Sequence, residues 1–554
     1  MKYLNAIYLR QTLDFFQRYG LKSILNKVPE YLMTTRGYQA WRKEHSPSEA
    51  ELSNQRNLSL RMPSRPLFSI LVPTYNTDPV QLKQMVESVF AQTYDRWELC
   101  IADGSPKPSP VEEFFHRYSR EHNPKGNVCF TSIENLGIAG NTNAAMSMAT
   151  GDFVVLLDHD DLLSPDALYE LAHAINKDPA IDALYSDEDM VSADGTFLHN
   201  PNFKPDFSPD LLRTCNYITH LYAVRRSLAE SVGGFSQDCD GSQDYDFTLK
   251  TTERARKVCH IPKVLYHWRV HSNSVAADSG NKTYAYDSAV RALERHYSRL
   301  GIEASVSKDA QPGFYLTDYR IKGRPLVSVL LYRCSETLRN ELSHPAGAAE
   351  EGSRSDIEES LYRIEFPASL SEAHGEYILI LHHVQSITPD TIRLLLSNCM
   401  RPEIGIAVPR ILTSHGKVAE SGLIYNKDGE LLSPFAGKDP VYPGYHCYAT
   451  CQHQISVAGP FCFMTSMENL RRNGRKKKGG SQDLFARMAE FCFRTRQSDK
   501  LITVIPRALA TLTKTGSQIA CSPRKGYPEL LSMGLPETDP YYTPNFSQKH
   551  PYRF

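Results

Sequence analysis

Five apolar residues, Phe153-Val154-Val155-Leu156-Leu157, follow Gly151-Asp152 and lead into Asp158-His159-Asp160-Asp161. A short apolar run between turn signals predicts a strand buried on both faces, as in a parallel sheet covered by helices. Three carboxylates in the next four residues repel one another unless a cation sits between them. An Asp-x-Asp at a strand end therefore predicts a divalent-metal site at the carboxyl edge of an open α/β sheet, where ligands usually bind. The competing reading is an acidic turn before the helix start Ser164-Pro165-Asp166.

The same run returns later without its acids. Gly375 through Asp390 repeats Gly151 through Asp166 without a gap. Arg324-Pro-Leu-Val-Ser-Val-Leu330 repeats Arg65-Pro-Leu-Phe-Ser-Ile-Leu71. Gly480-Ser-Gln-Asp483 repeats Gly241-Ser-Gln-Asp244, and Ile505-Pro-Arg-Ala-Leu509 repeats Ile261-Pro-Lys-Val-Leu265. Four matches in one order predict a duplicated domain. In the second copy Asp158 becomes His382, Asp160 becomes Val384, Asp161 becomes Gln385 and His267 becomes Thr511. Valine cannot ligate a cation, so the second copy reads as a fold that has lost its site. A second, metal-independent site is the alternative.

A chain of 554 residues has room for more than one domain, and 41% apolar with 23% charged residues is a globular composition. The net charge of −1 gives no global field toward nucleic acid, and none is expected as a partner. The 12 cysteines lack paired metal-ligand spacing and no secretory signal precedes them, which fits free thiols in a reducing cytoplasm. No apolar run reaches the roughly 20 residues of a membrane span.

Residues 1–65 read as a helical segment and linker, the linker from Ser46 to Arg65. Leu4, Ile7, Leu13, Phe16, Leu21 and Ile24 recur at helical spacing among Lys2, Arg10, Arg18 and Lys22. Such a basic amphipathic stretch either lies on an anionic membrane, at the inner face of the cytoplasmic membrane, or packs on its own domain. Phe68 to Asn76 predicts a strand, Val80 to Phe90 a helix, and Trp97 to Ser105 a second strand ending near Asp103. Glu134 to Asn143 predicts a Gly-rich bend before a helix from Ala144 to Ala149. Strands alternating with helices predict a mostly parallel, doubly wound sheet. Arg471 to Lys478 is a dense basic run, either a solvated loop or a patch for anionic lipid or a phosphorylated lipid carrier. The tail from residue 516 predicts irregular structure wrapping the surface.

Val72-Pro-Thr-Tyr-Asn76, Ala102-Asp-Gly-Ser105, Glu134-Asn-x-Gly-Ile-Ala-Gly-x-Thr-Asn143 and Asp158-His-Asp-Asp161 occur in order. Together they resemble the nucleotide-sugar-binding half of family 2 glycosyltransferases, which have the GT-A fold. Tyr185-Ser-Asp-Glu-Asp189, Asn216-Tyr-Ile-Thr-His220, Gly241-Ser-Gln-Asp-Tyr-Asp246 and His267-Trp-Arg-x-His271 resemble its acceptor half, most of all in bacterial O-antigen and rhamnosyltransferase-type members. The resemblance covers residues 66–310. It implies a catalytic GT-A domain there, a degenerate GT-A-like domain at 324–515 and an irregular tail at 516–554.

By that resemblance the chain moves a sugar, with inversion, from a nucleoside-diphosphate donor to a saccharide or undecaprenyl-linked acceptor in surface-polysaccharide assembly. A Mn2+ or Mg2+ ion is implied at Asp158 and Asp160, with His271, or else His267, as a late ligand. Pro73, Tyr75, Asp103, Asn143 and Asp158 fall on the donor side, and His220, Gln243 and Trp268 on the acceptor side. Asp244 takes the general-base position. The family motif has Glu where Gln243 stands, and a neutral neighbour makes Asp244 easier to ionise. For Pro73 and Asp103 the bland reading is turn chemistry; for the histidines it is packing near Trp268. A transferase with two active domains, a non-catalytic scaffold of the same pathway and a nucleotidyltransferase are the alternatives.

Overall fold

A computed structural model describes residues 37–122, 127–270, 283–343, 361–474 and 483–554, apart from 523, 525 and 528–532. Nine strands form the first sheet: β1 (Phe68–Thr74), β2 (Trp97–Asp103), β3 (Val128–Ser132), β4 (Phe153–Leu156), β5 (Leu162–Leu163), β6 (Ala183–Val191), β7 (Leu198–Asn202), β8 (Tyr222–Arg225) and β9 (Val258–Arg269). Their order is β3-β2-β1-β4-β8-β6-β9-β5, with β7 paired to β6. The half from β3 to β4 is parallel, and β8 runs antiparallel to both its neighbours.

A hairpin of β10 (Ala304–Lys308) and β11 (Tyr315–Tyr319) separates this sheet from the second. There β12 (Leu326–Tyr332), β13 (Arg363–Glu365), β14 (Tyr377–His382), β15 (Val384–Ile387), β16 (Ile404–Leu412) and β17 (Val418–Glu420) come first in the chain. A ribbon of β18 (Ile424–Tyr425) and β19 (Leu431–Leu432) precedes β20 (His453–Gln454), β21 (Cys462–Ser466) and β22 (Leu501–Leu512). The second order is β13-β12-β14-β21-β16-β22-β15. Apart from β3, which has no counterpart, replacing β2, β1, β4, β8, β6, β9 and β5 by these strands in turn converts the first order into the second, and every shared pairing keeps its direction.

Atomic details repeat as well. Gly151 N–H donates to Ser69 Oγ at 2.9 Å and to Glu98 at 3.2 Å, and Ser69 donates to Glu98. Gly375 N–H donates to Ser328 Oγ at 2.8 Å and to Glu365 at 3.1 Å, and Ser328 donates to Glu365. A Cβ at either glycine would come within 2.6 Å of the serine Oγ, so both positions require glycine. Both long last strands also slip register at their proline, Pro262 in β9 and Pro506 in β22. Proline has no N–H for the ladder and is tolerated at such bulges.

The α/β expectation holds, with two copies of the sheet and helices ahead of the first strand. Local expectations fare less evenly. Ser46 to Arg65 is not a plain linker, since Glu49–Ser59 is a helix. Ser48 and Glu51 close a capping box on it, a Ser-x-x-Glu signature present in the sequence. The Gly-rich bend is itself helical, because Gly137–Ser147 forms one helix. The tail read as irregular from residue 516 opens inside a helix, Lys514–Cys521, started by the Thr513 cap; residues 533–554 lack helix and strand, yet do not merely wrap the surface. Asp539, Tyr542, Thr543 and Phe546 are buried. Phe554 returns to Tyr38, Trp41 and Phe203, with ring centroids 5.9–6.5 Å apart. The amphipathic stretch at 4–25 and the basic residues Arg475–Lys478 lie outside the described residues. All 12 cysteines are free thiols. Among the described residues no helix is long and apolar enough to cross a membrane.

One buried ion pair ties the two halves together. Asp210, in the short helix Pro209–Thr214, receives both terminal nitrogens of Arg401, at 2.6 and 2.7 Å, and the Thr503 hydroxyl at 2.7 Å. Asp210 and Arg401 are 1% and 5% exposed, so both charges are out of water. Arg401 also lies 4.5 Å over the Tyr319 ring. Burial would raise the Asp210 carboxyl, but Arg401, Arg213 and Thr503 hold it well below the ordinary carboxylate range. A depressed carboxyl stabilises the fold above its unfolded pKa of about 3.9 and loses that effect as pH falls toward its folded value. Asp210→Asn strands the Arg401 charge and should cost about 3–5 kcal/mol. Thermal melts should show this loss from about pH 5 to 8, with the gap to the unmodified chain narrowing below about pH 4.

Candidate active site

The carboxyl ends of β1, β2 and β4 lie side by side, with Thr74 opposite Asp103 and Leu71 opposite Leu156. Strand β6 continues this edge with three consecutive buried acids, each compensated. Asp187 accepts from His260 at 3.0 Å and from Asn545 at 2.7 Å. Glu188 accepts from Asn202 at 2.9 Å and Thr219 at 3.0 Å, with Lys204 Nζ at 3.5 Å. Asp189 is held by Tyr38 and His267. Asp246, also buried, pairs with Lys250 at 2.9 Å and Ser236 at 2.7 Å.

The acids after β4 differ. Asp158, Asp161 and His220 bring one oxygen or nitrogen each to within 4.8 Å of one another, close enough to share a cation. Tyr266 of β9 organises the group. Its hydroxyl accepts the Asp158 N–H at 3.2 Å and donates to Asp161 at 2.6 Å, while its ring stacks on His220 with centroids 4.4 Å apart. Asp161 further accepts the Arg269 N–H at 2.7 Å. The Arg269 guanidinium is fully buried beneath this loop and bonds the Asp160 and Ala193 carbonyls. Among the described residues no hydrogen bond reaches the Asp158 carboxylate.

Asp244 stands in the first turn of the helix Gln243–Arg254 and accepts from Asn216 Nδ2 at 2.9 Å. The Asn216 oxygen is buried without a partner. Burial is the main cause that raises the Asp158 and Asp244 carboxyls; His220 opposes it in both. Asp158 also raises Asp244, so the two acids and the imidazole act on one another. Asp161 lies well above the carboxylate range, through burial first and then its neighbours Asp160 and Asp158. Two carboxylates and an imidazole that are short of positive charge fit a borderline-hard divalent ion.

Residues 69–233 match the model of glycosyl transferase family 2. A Sinorhizobium fredii protein of uncharacterised function is 31% identical over 472 residues, 78% of this chain and 51% of that protein. An O-antigen biosynthesis protein of Myxococcus xanthus is 30% identical over 72% of this chain and 33% of its own length. A Pasteurella multocida chondroitin synthase is 30% identical over 38% of this chain and 21% of that protein. The chain thus spans about half or less of the length of these relatives. Residues 69–233 belong to glycosyl transferase family 2.

The matched family 2 segment holds Asp158, Asp161 and His220; Asp244 and Tyr266 lie beyond it. Of the metal residues anticipated from sequence, Asp158 is in the three-atom group. Asp160 flanks that group, with its carboxylate 3.8 Å from His159. His271 lies outside the described residues, and His267 is tied to Asp189. His220, expected on the acceptor side, lies beside the acids, with Trp268 6.3 Å away. Gln243 accepts from the Gly241 N–H at 2.9 Å within its own turn. Tyr75 is 48% exposed and Pro73 half-buried at the end of β1. Asp103 is fully buried and accepts from Thr74, Ser105 and Ser109. Asn143 spends both ends of its amide on the Phe235 backbone, at 2.8 and 2.9 Å. Asp161, Asn216 and Tyr266 were not singled out, because their roles depend on contacts 28 to 108 residues away in sequence.

Tyr266→Phe keeps the stack on His220 and removes the hydroxyl shared by Asp158 and Asp161. An unmade buried hydrogen bond costs about 1–3 kcal/mol. The expected result is a chain that still folds, with Mn2+ affinity about 10-fold weaker by electron paramagnetic resonance titration. Unchanged affinity would remove Tyr266 from the site.

Proposed function

We propose that the chain is an inverting, metal-dependent glycosyltransferase that moves a sugar from a nucleoside-diphosphate donor to an acceptor hydroxyl. The observation that carries this reading is a charge imbalance. The acids on β6 are matched by partners, whereas among the described residues the Asp158 carboxylate accepts no hydrogen bond, and His220 is the imidazole near all of Asp158, Asp161 and Asp244. Asp158, Asp161 and His220 would hold a Mn2+ or Mg2+ ion, which neutralises the departing diphosphate. Asp160, beside them, completes the acidic loop at the end of β4.

Asp244 serves as general base. Its raised carboxyl, once ionised, accepts a proton more readily than an ordinary carboxylate. Asn216 orients it, and the neutral Gln243 adds no competing charge. One base acting on an in-line acceptor hydroxyl gives inversion at the anomeric carbon. Pro73, Tyr75 and Asp103 form the donor side, Asp103 shaping the turn that carries it. A relative named for O-antigen biosynthesis supports a saccharide acceptor in surface-polysaccharide assembly; an undecaprenyl-linked form of that acceptor, met at the inner face of the cytoplasmic membrane, is part of this proposal.

We assign the second half, residues 324–515, no catalysis of its own. His382 takes the place of Asp158, and burial with His383 and Arg333 nearby lowers it to about 4, so it is neutral at pH 7. Asp483 does not stand where Asp244 does. It is the N-cap of the helix Leu484–Gln497, accepting from two backbone N–H groups and from Tyr527, and so occupies the position of Ser242.

Asp244→Asn should lower transfer at least about 100-fold while leaving donor binding in place. Nucleotide-sugar screening by thermal shift with Mn2+ identifies the donor to use. If donor binding disappears too, Asp244 is a binding residue and the base lies elsewhere. Chelation of divalent ions should abolish transfer by the unmodified chain; full turnover in excess chelator would refute the metal assignment.

A further inference from the structure

A cavity of about 520 Å3 lies between the two halves. The first half supplies Thr214 and Arg213, the β10–β11 hairpin supplies Gln311 and Tyr315, and the second half supplies Gln452 and Arg507. Its size is that of a small-ligand pocket, on the scale of ~300–1,000 Å3.

The cavity adjoins the proposed base. Thr214 lines it, and Asn216, two residues on and thus within about 7 Å along the chain, donates to Asp244. Tyr315 lines it from the other side. Its ring lies 6.1 Å from that of Tyr245, the residue after Asp244.

The lining also bears on the ligand's charge. Arg213 is paired with Asp210 and Glu403, both at 3.2 Å, and Arg507 with Asp318 at 2.8 Å. These cations are already neutralised, so a phosphate would find no free positive partner in them. What the lining adds is the planar amides of Gln311 and Gln452 beside the rings of Phe314 and Tyr315, with the Gln452 nitrogen itself bonded to Asp210 and Asn398. A sugar presents the complementary surfaces, an apolar C–H face for a ring and a hydroxyl rim for planar donors and acceptors.

We propose that this cavity binds the non-reacting sugars of a saccharide acceptor, so that the second half builds part of the acceptor site. The proposal rests on the transferase reading above and adds the acceptor class and a role for the second half. Binding energy gathered there would position the acceptor hydroxyl at Asp244.

The test uses the full chain with Mn2+ and, in parallel, UDP, GDP or dTDP on an array of bacterial-surface oligosaccharides. Thr450→Trp and Val441→Trp place a large ring at the exposed second-half rim of the cavity, where both residues line it. We expect the unmodified chain to retain at least one oligosaccharide and both variants to lose about 10-fold in apparent affinity with melting temperatures unchanged. Asp158→Asn should keep that binding. Oligosaccharide binding that survives both variants overturns the proposal, as does an array on which nothing binds. Displacement by inorganic pyrophosphate but not by free oligosaccharide would show an anion site and overturn it too. Hydrolysis of nucleotide sugars to water, measured in parallel, reports on the donor site alone. Its absence beside intact oligosaccharide binding would count against the transferase reading and not against the cavity.

Discussion

Carboxylate crowding at one sheet edge is the constraint on which the rest depends. Strands β4 and β6 and the helix at Asp244 bring eight acids together, counting Asp158, Asp160, Asp161, Asp187, Glu188, Asp189, Asp244 and Asp246. Burying a charge is costly unless it is paired. The fold answers this with long-range partners. His260, Lys204, Asn545, His267 and Tyr38 each reach in from another element to meet one acid, and Lys250 meets Asp246 one turn along its own helix. Where the pairing stops, burial raises the carboxyls, and the remaining negative charge is what a cation or a proton can use. Site and scaffold are thus distinguished by compensation more than by residue type.

Duplication gives an internal control for that argument. The second sheet keeps strand order, pairing direction, the Ser-Glu-Gly brace and the slip at the last-strand proline. It also replaces the acids with His382, Val384 and Gln385, and the crowding goes with them. The brace and the slip belong to the architecture, since they survive without the acids. The Asp-x-Asp loop is separable from it. Tyr266, whose hydroxyl has no purpose without that loop, is matched by Ala510 if β22 is laid on β9 by the repeated Ile-Pro stretch.

Much of this was legible in the sequence. The apolar strands, the helix expected from Val80 to Phe90, which spans Pro79–Phe90, and the repeats beginning at Arg324, Gly375 and Ile505 fell where periodicity and turn residues put them; the repeat from Gly480 to Asp483 did not, since Asp483 stands in the place of Ser242. So did the carboxylates at Asp158. What could not be read was which polar groups meet. Asp161 looks no different from Asp160 in sequence, yet a tyrosine and a backbone N–H about 105 residues away claim it. That His220 stacks on Tyr266 and lies beside the acids is likewise a contact no local pattern shows. The capping box at Ser48 and the helix beginning at Gly137 were local signals overridden by composition. Polar Ser46 to Arg65 read as linker, and glycines read as bend.

The tail makes the last link between architecture and site. Residues 533–554 have no regular structure, yet Asn545 donates a hydrogen bond to the buried Asp187 at 2.7 Å, and Phe546 packs between Phe203 and Tyr445, one from each half. Tyr445 in turn donates to the Pro201 carbonyl and accepts the Phe203 N–H. A segment from the end of the chain therefore satisfies a buried acid of the first sheet while joining that sheet to the second. The Asp210–Arg401 pair does the same from the opposite direction, placing a first-half acid on a second-half base. Two halves held by buried charge and by interleaved aromatic rings cannot slide freely, since sliding would expose unpaired ions. A rigid seam of this kind suits a ligand cavity built from both sides, because its walls keep their spacing without help from the ligand.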